Sequence, residues 1–398
     1  MSQRSARVEV PVSAESRGVA PCSAEPMPRQ TAAPHGSARR ILALATNPET
    51  GASTRCRVLQ WAPALEAAGF SLSLDAFFSP AGAEVLYQPG RYGTKAAHVI
   101  FGAVRRAARL ARAPRTADLL FIHREAFPLG RRFFLKTLER FPGPIVYDYD
   151  DAMFLPQRGG RGLLARFEDV ETPKEVMRLS RVVLAGNEFL AEYARPYAGR
   201  VVVLPTCIDT QRFVPRARQR RPGEPLLVGW IGSHSTAKYL HSLKPVLEEA
   251  AREIPFRLYI VGSAEPLALK GIEVTQAAWS LAREVDDFSR CDVGVYPVWP
   301  DAWGEGKCGY KAIQFMACGV PVVASAVGVN RTIIEEGVTG SLASTEEEWV
   351  DKLKQLLLDA ALRQRLGQAG REAIEARYSL DAHAATLLSA FDEAIKGP

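Results

Sequence analysis

Residues 303–325 read WGEGKCGYKAIQFMACGVPVVAS. Gly304, Gly306 and Gly309 make the start of this stretch a flexible loop. Lys307 and Lys311 flank the beginning of a helix expected near 309–318, which carries Ala312, Phe315 and Met316 as a buried stripe. The helix stops at Cys318-Gly319, and the chain turns through Pro321 into an apolar strand, 321–325. A helix feeding an apolar strand without polar alternation is one unit of a parallel sheet covered on both faces.

The same pattern extends in both directions. Strands are expected at 226–232 (LLVGWIG), 257–262 (RLYIVG), 272–275, 292–297 (DVGVYP) and 339–344, with helices near 236–253, 280–290 and 345–359. Upstream lies a polar stretch, VPRARQRRPGEP at 214–225, whose arginines, prolines and glycine mark a linker. Before it come six more strands, at 41–46, 71–78, 119–123, 145–150, 182–186 and 201–205. Helices near 54–69, 95–113, 129–140 and 187–196 separate them. Two last helices, 361–376 and 380–395, have no following strand and are free to pack elsewhere. The expected organisation is a disordered leader at 1–38, an α/β domain at 39–213, the linker, a second α/β domain at 226–378, and a C-terminal helix at 379–398 returning to the first domain.

Composition bounds the function. With 398 residues, 47% apolar and 24% charged, the chain is neither fibrous nor mostly disordered. The net charge of +6 is uneven: 41–220 hold 26 basic and 17 acidic residues, 221–398 hold 18 and 24. A basic front and an acidic back suggest domains with different partners. Six cysteines without a C-x-x-C pair exclude a disulfide framework or thiolate zinc site and fit a reducing cytoplasm. Residues 1–38 lack the apolar core of a signal peptide, and the most apolar long window, 312–329, is broken by Gln314, Gly319, Pro321 and Gly328. No aromatic-interleaved basic platform points to nucleic acid.

In a parallel sheet, ligands bind beyond the carboxyl ends of the strands. The strand ending at Gly232 runs into Ser233-His234-Ser235-Thr236 and a helix carrying Lys238, a set that suits a diphosphate or, equally, a plain turn with a Ser or Thr cap. Lys307 and Lys311 at a helix start again suit phosphate, with Gln314 on the face of Lys311; a solvated lysine pair is the alternative. In the first domain, the loop 46–57 ends in Arg55-Cys56-Arg57, candidates for acceptor or phosphate contact unless Ser53 or Thr54 merely caps a helix. Asp148, Asp150 and Asp151 crowd one strand end, unfavourable unless solvated or paired, and a cation site is the competing reading. His123 sits at another strand end and could line the cleft. Residues 95–115 set Arg105, Arg106, Arg109, Arg112 and Arg115 beside Val99, Ile100, Phe101, Val104 and Leu110. Such a helix is either a membrane-surface element or a solvated helix with its apolar face in the core.

The stretch MACGVPVVAS after a Gly-rich loop, with LAGNEFLAEYA, VVVLPTCIDTQRF, VGWIGSHSTAKYL and RLYIVG before it and SAVGVNRTIIEEGVTGSLA after the strand begins, resembles the family-4 glycosyltransferases of GT-B fold. The resemblance implies two Rossmann-like domains facing across a cleft. It implies transfer of a sugar from a nucleotide diphosphate sugar, with retention and without metal or other cofactor, in polysaccharide or lipid-linked glycan assembly. Donor contacts would come from Gly232, Ser233, Lys238, Glu305, Gly306, Lys307, Cys308, Gly309, Lys311 and Gln314. Lys238 and Lys311 would stabilise the leaving diphosphate, and Asp150 would face the sugar. Gly51, Arg55, Arg57, His123, Asp148 and Asp151 would meet the acceptor. The family's pair of glutamates eight positions apart falls on Gly306 and Gln314, with Glu305 one residue out of register, and its loop arginine falls on Ser233. Expected partners are a nucleotide sugar, a glycan or lipid-linked acceptor and an anionic membrane surface, at the inner face of the cell membrane. Epimerisation or phosphorolysis on the same fold, or a non-catalytic nucleotide-sugar binder, are the alternatives.

Overall fold

The computed structural model describes residues 38–86, 90–125, 127, 131–155, 170–216 and 223–397. The expected leader lies outside them apart from Ala38, as do 129–130 of one expected helix and 217–222 of the linker.

The first half contains β1 (Arg39–Ala45), α1 (Ala52–Arg57), α2 (Ala62–Ala67), β2 (Phe70–Ala76), α3 (Pro80–Leu86), α4 (Tyr92–Thr116) and β3 (Leu119–His123). It continues with α5 (Arg131–Glu139), β4 (Ile145–Tyr149), α6 (Thr172–Leu179), β5 (Val182–Ala185), α7 (Glu188–Ala194) and β6 (Val201–Val203). The second half contains β7 (Leu226–Ile231), α8 (Ala237–Ser242), α9 (Lys244–Ala251), β8 (Phe256–Val261), β9 (Glu273–Ala277), α10 (Glu284–Ser289), β10 (Val293–Tyr296) and α11 (Ala302–Glu305). Then come α12 (Tyr310–Ala317), β11 (Val322–Ser325), α13 (Asn330–Ile333), β12 (Ser341–Ala343), α14 (Glu346–Leu358), α15 (Ala360–Tyr378) and α16 (Leu380–Lys396).

Each half is a six-stranded parallel sheet, ordered β2-β1-β3-β4-β5-β6 and β12-β11-β10-β7-β8-β9. The strand order reverses between β1 and β3 in the first and between β7 and β10 in the second. A crevice opens at such a reversal, because the flanking connections leave on opposite faces. The inner strands β3, β4, β5 and β7 are buried along their whole length, which is why they read as unbroken apolar runs. The edge strand β9 carries exposed and half-buried residues instead. Two apolar clusters flank each sheet. The last helix, α16, crosses to the first sheet and buries Leu387, Ala390, Phe391 and Ala394 with Ile41, Ala43, Trp61 and Phe121.

Two expected helices are each broken by a proline. The 54–69 helix ends at Arg57, passes through a 3-10 turn at Leu59–Trp61 and restarts at Ala62 with Pro63 in its first turn. The 236–253 helix breaks at Leu243, and α9 restarts with Pro245 in its first turn. Proline has no N–H to donate and its ring crowds the preceding turn, so it favours the first turn of a helix. The glycine loop at 304–309 is also more ordered than expected: Asp301 accepts from the Gly304 N–H at 2.8 Å and starts α11.

The core face of α4 is Gly102, Arg106, Leu110 and Ala113, whereas Ile100, Phe101 and Val104 are each more than 60% exposed. Arg106, read as one of five surface arginines, is instead fully buried, with Nε 2.5 Å from the Asp75 carboxylate and Nη2 2.9 Å from the Ala45 carbonyl. Burial lowers its pKa to about 10, although Asp75 opposes the fall. No described helix is long and apolar enough to cross a membrane.

Candidate active site

The two crevices face each other across one cavity of about 510 Å³. The first half contributes Thr50, Ser53, Arg55 and Cys56 from the turn after β1, and Arg124, Asp150 and Asp151 from the ends of β3 and β4. The second half contributes Gly232, Ser233 and Thr236 after β7, and Lys307, Cys308, Gly309, Tyr310 and Lys311 around the start of α12. Trp230, Trp279, Tyr239 and Tyr296 supply flat apolar walls of the kind that hold sugar or base rings.

The N-terminal end of α12 opens on this cavity. Gly309 precedes the helix at φ 66°, a left-handed conformation that glycine adopts without a Cβ clash, and a Cβ there would stand 2.2 Å from Ile333 Cδ1. Helix N-termini carry partial positive charge, and two lysines reinforce it here. Lys307 Nζ lies 2.7 Å from Asp151 of the first half. Lys311 Nζ donates to Gln314 Oε1 at 3.0 Å. Burial lowers the Lys311 pKa, and the nearby Glu284 carboxylate works against that fall.

The opposite wall is ion-paired too. Arg124 Nε lies 2.5 Å from Asp150 and its Nη2 2.6 Å from Asp151. Burial disfavours ionised Asp150, but Arg124 outweighs it and holds the carboxyl well below the usual range. Arg124 has φ 53°, an uncommon conformation for an arginine, which turns its side chain back along the strand ends. Arg55 lies 4.6 Å over the Trp279 ring and 3.3 Å from Glu284. Burial pushes the Cys56 thiol up to about 11, so it is a neutral wall group.

Of the residues read from sequence, Gly232, Ser233, Lys307, Cys308, Gly309, Lys311, Arg55, Asp150 and Asp151 stand together on the cavity wall. Others stand apart. Lys238 packs its Nζ 5.0 Å from the Trp299 ring centre. Glu305 pairs with Arg331 at 3.6 Å. Gly306 faces the first half, where a Cβ would lie 2.7 Å from Ala152 Cβ. Gln314 is fully buried behind Lys311. Gly51 precedes α1, between the wall residues Thr50 and Ala52.

Direct acceptor contact does not fit Arg57, His123 and Asp148. All three are at most 1% exposed, and Asp148 pairs with both of the others. Arg57 Nε donates to Asp148 at 3.2 Å, its Nη1 donates to the Leu204 carbonyl at 2.8 Å, and His123 Nδ1 lies 2.7 Å from the same carboxylate. Sequence reasoning missed Trp279, Glu284 and Tyr310. Glu284 is a buried acid opening α10, and only the fold shows that it reaches the site.

Residues 225–359 match the model of the glycosyl transferases group 1 family. The D-inositol 3-phosphate glycosyltransferase of Xylanimonas cellulosilytica is 27% identical over 296 residues, 65% of this chain and 68% of that protein. The enzyme of the same name from Stackebrandtia nassauensis is 29% identical over 245 residues, 52% of each chain. Among solved structures, sucrose-phosphate synthase from Thermosynechococcus elongatus superposes with a TM-score of 0.67 at 18% identity, covering 89% of this chain and 98% of that one. Anabaena Alr3699/HepE, in complex with UDP and glucose, superposes at 0.65 and 17%, covering 89% of this chain and all of that one. At such identities the superpositions speak to the fold.

Proposed function

We propose that the chain is a nucleotide-sugar-dependent transferase of the GT-B glycosyltransferases, a reading supported by the family match over 225–359 and by its relatives, and that it moves the sugar, with retention, onto a hydroxyl of a glycan or lipid-linked acceptor in polysaccharide or lipid-linked glycan assembly. The observation that carries this is the ring of cations at one cavity: Lys307 and Lys311 from the second half, Arg55 and Arg124 from the first. A diphosphate is the ligand whose charge they match together.

In this reading the second half holds nucleotide and diphosphate, and the first half holds the acceptor. Lys311, Lys307 and the N–H groups opening α12 stabilise charge on the departing diphosphate, whose own oxygen takes the acceptor proton. Asp150, ionised and fixed by Arg124, positions the sugar or the attacking hydroxyl. The positive charge comes from side chains, with no metal or other cofactor. The exposed apolar face of α4, flanked by Arg109, Arg112 and Arg115, seats the enzyme on anionic lipid at the inner face of the membrane.

A panel of nucleotide sugars, read by released nucleoside diphosphate with lipid acceptors present, tests the reaction. Lys311→Ala should weaken donor binding by about tenfold or more, while Lys270→Ala, remote from the cavity, should not, and EDTA should leave turnover unchanged. Equal effects of the two alanines would remove the lysine from the site.

A further inference from the structure

Glu284 opens α10 and is 3% exposed, yet it lies off the cavity wall. Three groups from three parts of the chain converge on it. Arg212, in the segment crossing between the halves, reaches it at 2.8 Å. Arg55, on α1 of the first half, reaches it at 3.3 Å. Gln314 Nε2, on α12, donates to it at 3.3 Å, and that fixes the side-chain amide so that Oε1 faces Lys311 Nζ at 3.0 Å. Because an amide has one donor end and one acceptor end, the carboxylate decides which end meets the lysine.

We propose that Glu284 is a positioning residue for the transfer reaction, acting through Gln314 on Lys311 and directly on Arg55, so that cations from both halves hold fixed places on the cavity wall. The proposal rests on the transferase reading and deepens it. An ammonium left to itself at a buried site reorients or loses its proton; a carboxylate behind an intervening amide holds it while leaving its outer hydrogens to the ligand. Two arginines hold the same carboxylate in place, so that Glu284 meets Lys311 through Gln314 rather than directly.

The pH behaviour follows with a definite sign. Burial lowers the Lys311 pKa; Glu284 on α10 and Cys56 on α1 raise it, and Arg55 on α1 lowers it, while Tyr310 and the Phe288 ring complete the surroundings. Removing the charge of Glu284 therefore lets the lysine lose its proton at lower pH. A role in packing alone would not do this.

The test compares wild type, Glu284→Gln, Gln314→Glu and the double variant. UDP is the probe, titrated calorimetrically, with GDP and ADP in parallel. Lys311 is titrated by NMR after 13C-dimethylation, with Lys311→Arg giving the assignment. Glu284→Gln should weaken nucleotide binding by about ten- to thirtyfold, the scale of a lost charge-assisted contact, and should lower the pH at which Lys311 deprotonates. The double variant, which returns a carboxylate to the neighbouring position, should recover most of both. An unmoved Lys311 titration, or a double variant no better than Glu284→Gln, overturns the proposal. Where Glu284→Gln does not fold, Glu284→Asp takes its place and should show the same two changes in weaker form. A wild type that binds no nucleoside diphosphate overturns the transferase reading instead, and the Lys311 titration distinguishes that failure because it needs no ligand.

Discussion

Asp148 has no solvent exposure, and two residues depend on it. Arg57 would be lowered by burial, but the carboxylate outweighs this and raises its pKa. His123 presents Nδ1 to the same group at 2.7 Å, and its Nε2 has no hydrogen-bond partner among the described residues. Replacing the carboxylate by an amide leaves a buried guanidinium without the negative charge that balances it. Asp148→Asn should destabilise the fold by about 3–5 kcal/mol, the cost of breaking a buried pair, read as a lower urea midpoint with unchanged slope. A loss of turnover with unchanged stability would return Asp148 to the role of an acceptor contact. Why this trio was misread is instructive. Residue type, strand ends and the start of α12 were legible, and Asp150, Asp151, Lys307 and Lys311 line one cavity. Burial was not, because it depends on register: β3 and β4 pair His123 with Asp148 directly, and the residues beyond them, Arg124, Asp150 and Asp151, reach the cavity.

Elements show a similar division. Strand positions were readable because a strand buried on both faces must be apolar throughout. Helix continuity was less so, since Pro63 and Pro245 restart helices that periodicity alone joins. For α4, amphipathicity left a membrane-surface element and a solvated helix with its apolar face in the core both open; in the fold a buried ion pair between Arg106 and Asp75 anchors one face, and Ile100, Phe101 and Val104 remain outside. An exposed apolar strip beside arginines is costly in water and favourable at an anionic interface. Replacing Ile100, Phe101 and Val104 together by serine should reduce binding to phosphatidylserine-containing vesicles by about tenfold or more, with no loss of thermal stability. Arg109, Arg112 and Arg115 to alanine should weaken it mainly at low salt. Binding that survives both sets would leave α4 without a membrane role.

At the scale of the whole molecule, the halves meet through a seam as well as through the cavity. Lys307 reaches Asp151, and Asn187 of the first half donates to the Lys307 carbonyl at 3.0 Å. Between them Cys308 inserts into an apolar cluster of the first half, with Tyr149, Ala185 and Leu190. That insertion needs Gly186: a Cβ there would stand 2.4 Å from Cys308 Sγ and 3.1 Å from Asp150 Cα. Gly186 follows β5 in the first half, so an alanine there obstructs the approach of the halves and leaves the second sheet intact. Gly186→Ala should retain UDP binding within about threefold and lose turnover by about tenfold or more, the expected pattern when a reactive geometry is displaced rather than a ligand contact removed. Shrinking the obstacle from the other side gives the decisive comparison. Cys308→Ala in the Gly186→Ala background removes the Sγ that the new methyl meets, while the contact with Asp150 remains, so recovery should be partial. Recovery places the defect in the meeting of the halves. Turnover that stays lost with full UDP binding assigns it to the displacement of Asp150, and turnover unaffected by Gly186→Ala alone would mean that the seam does not govern the reaction.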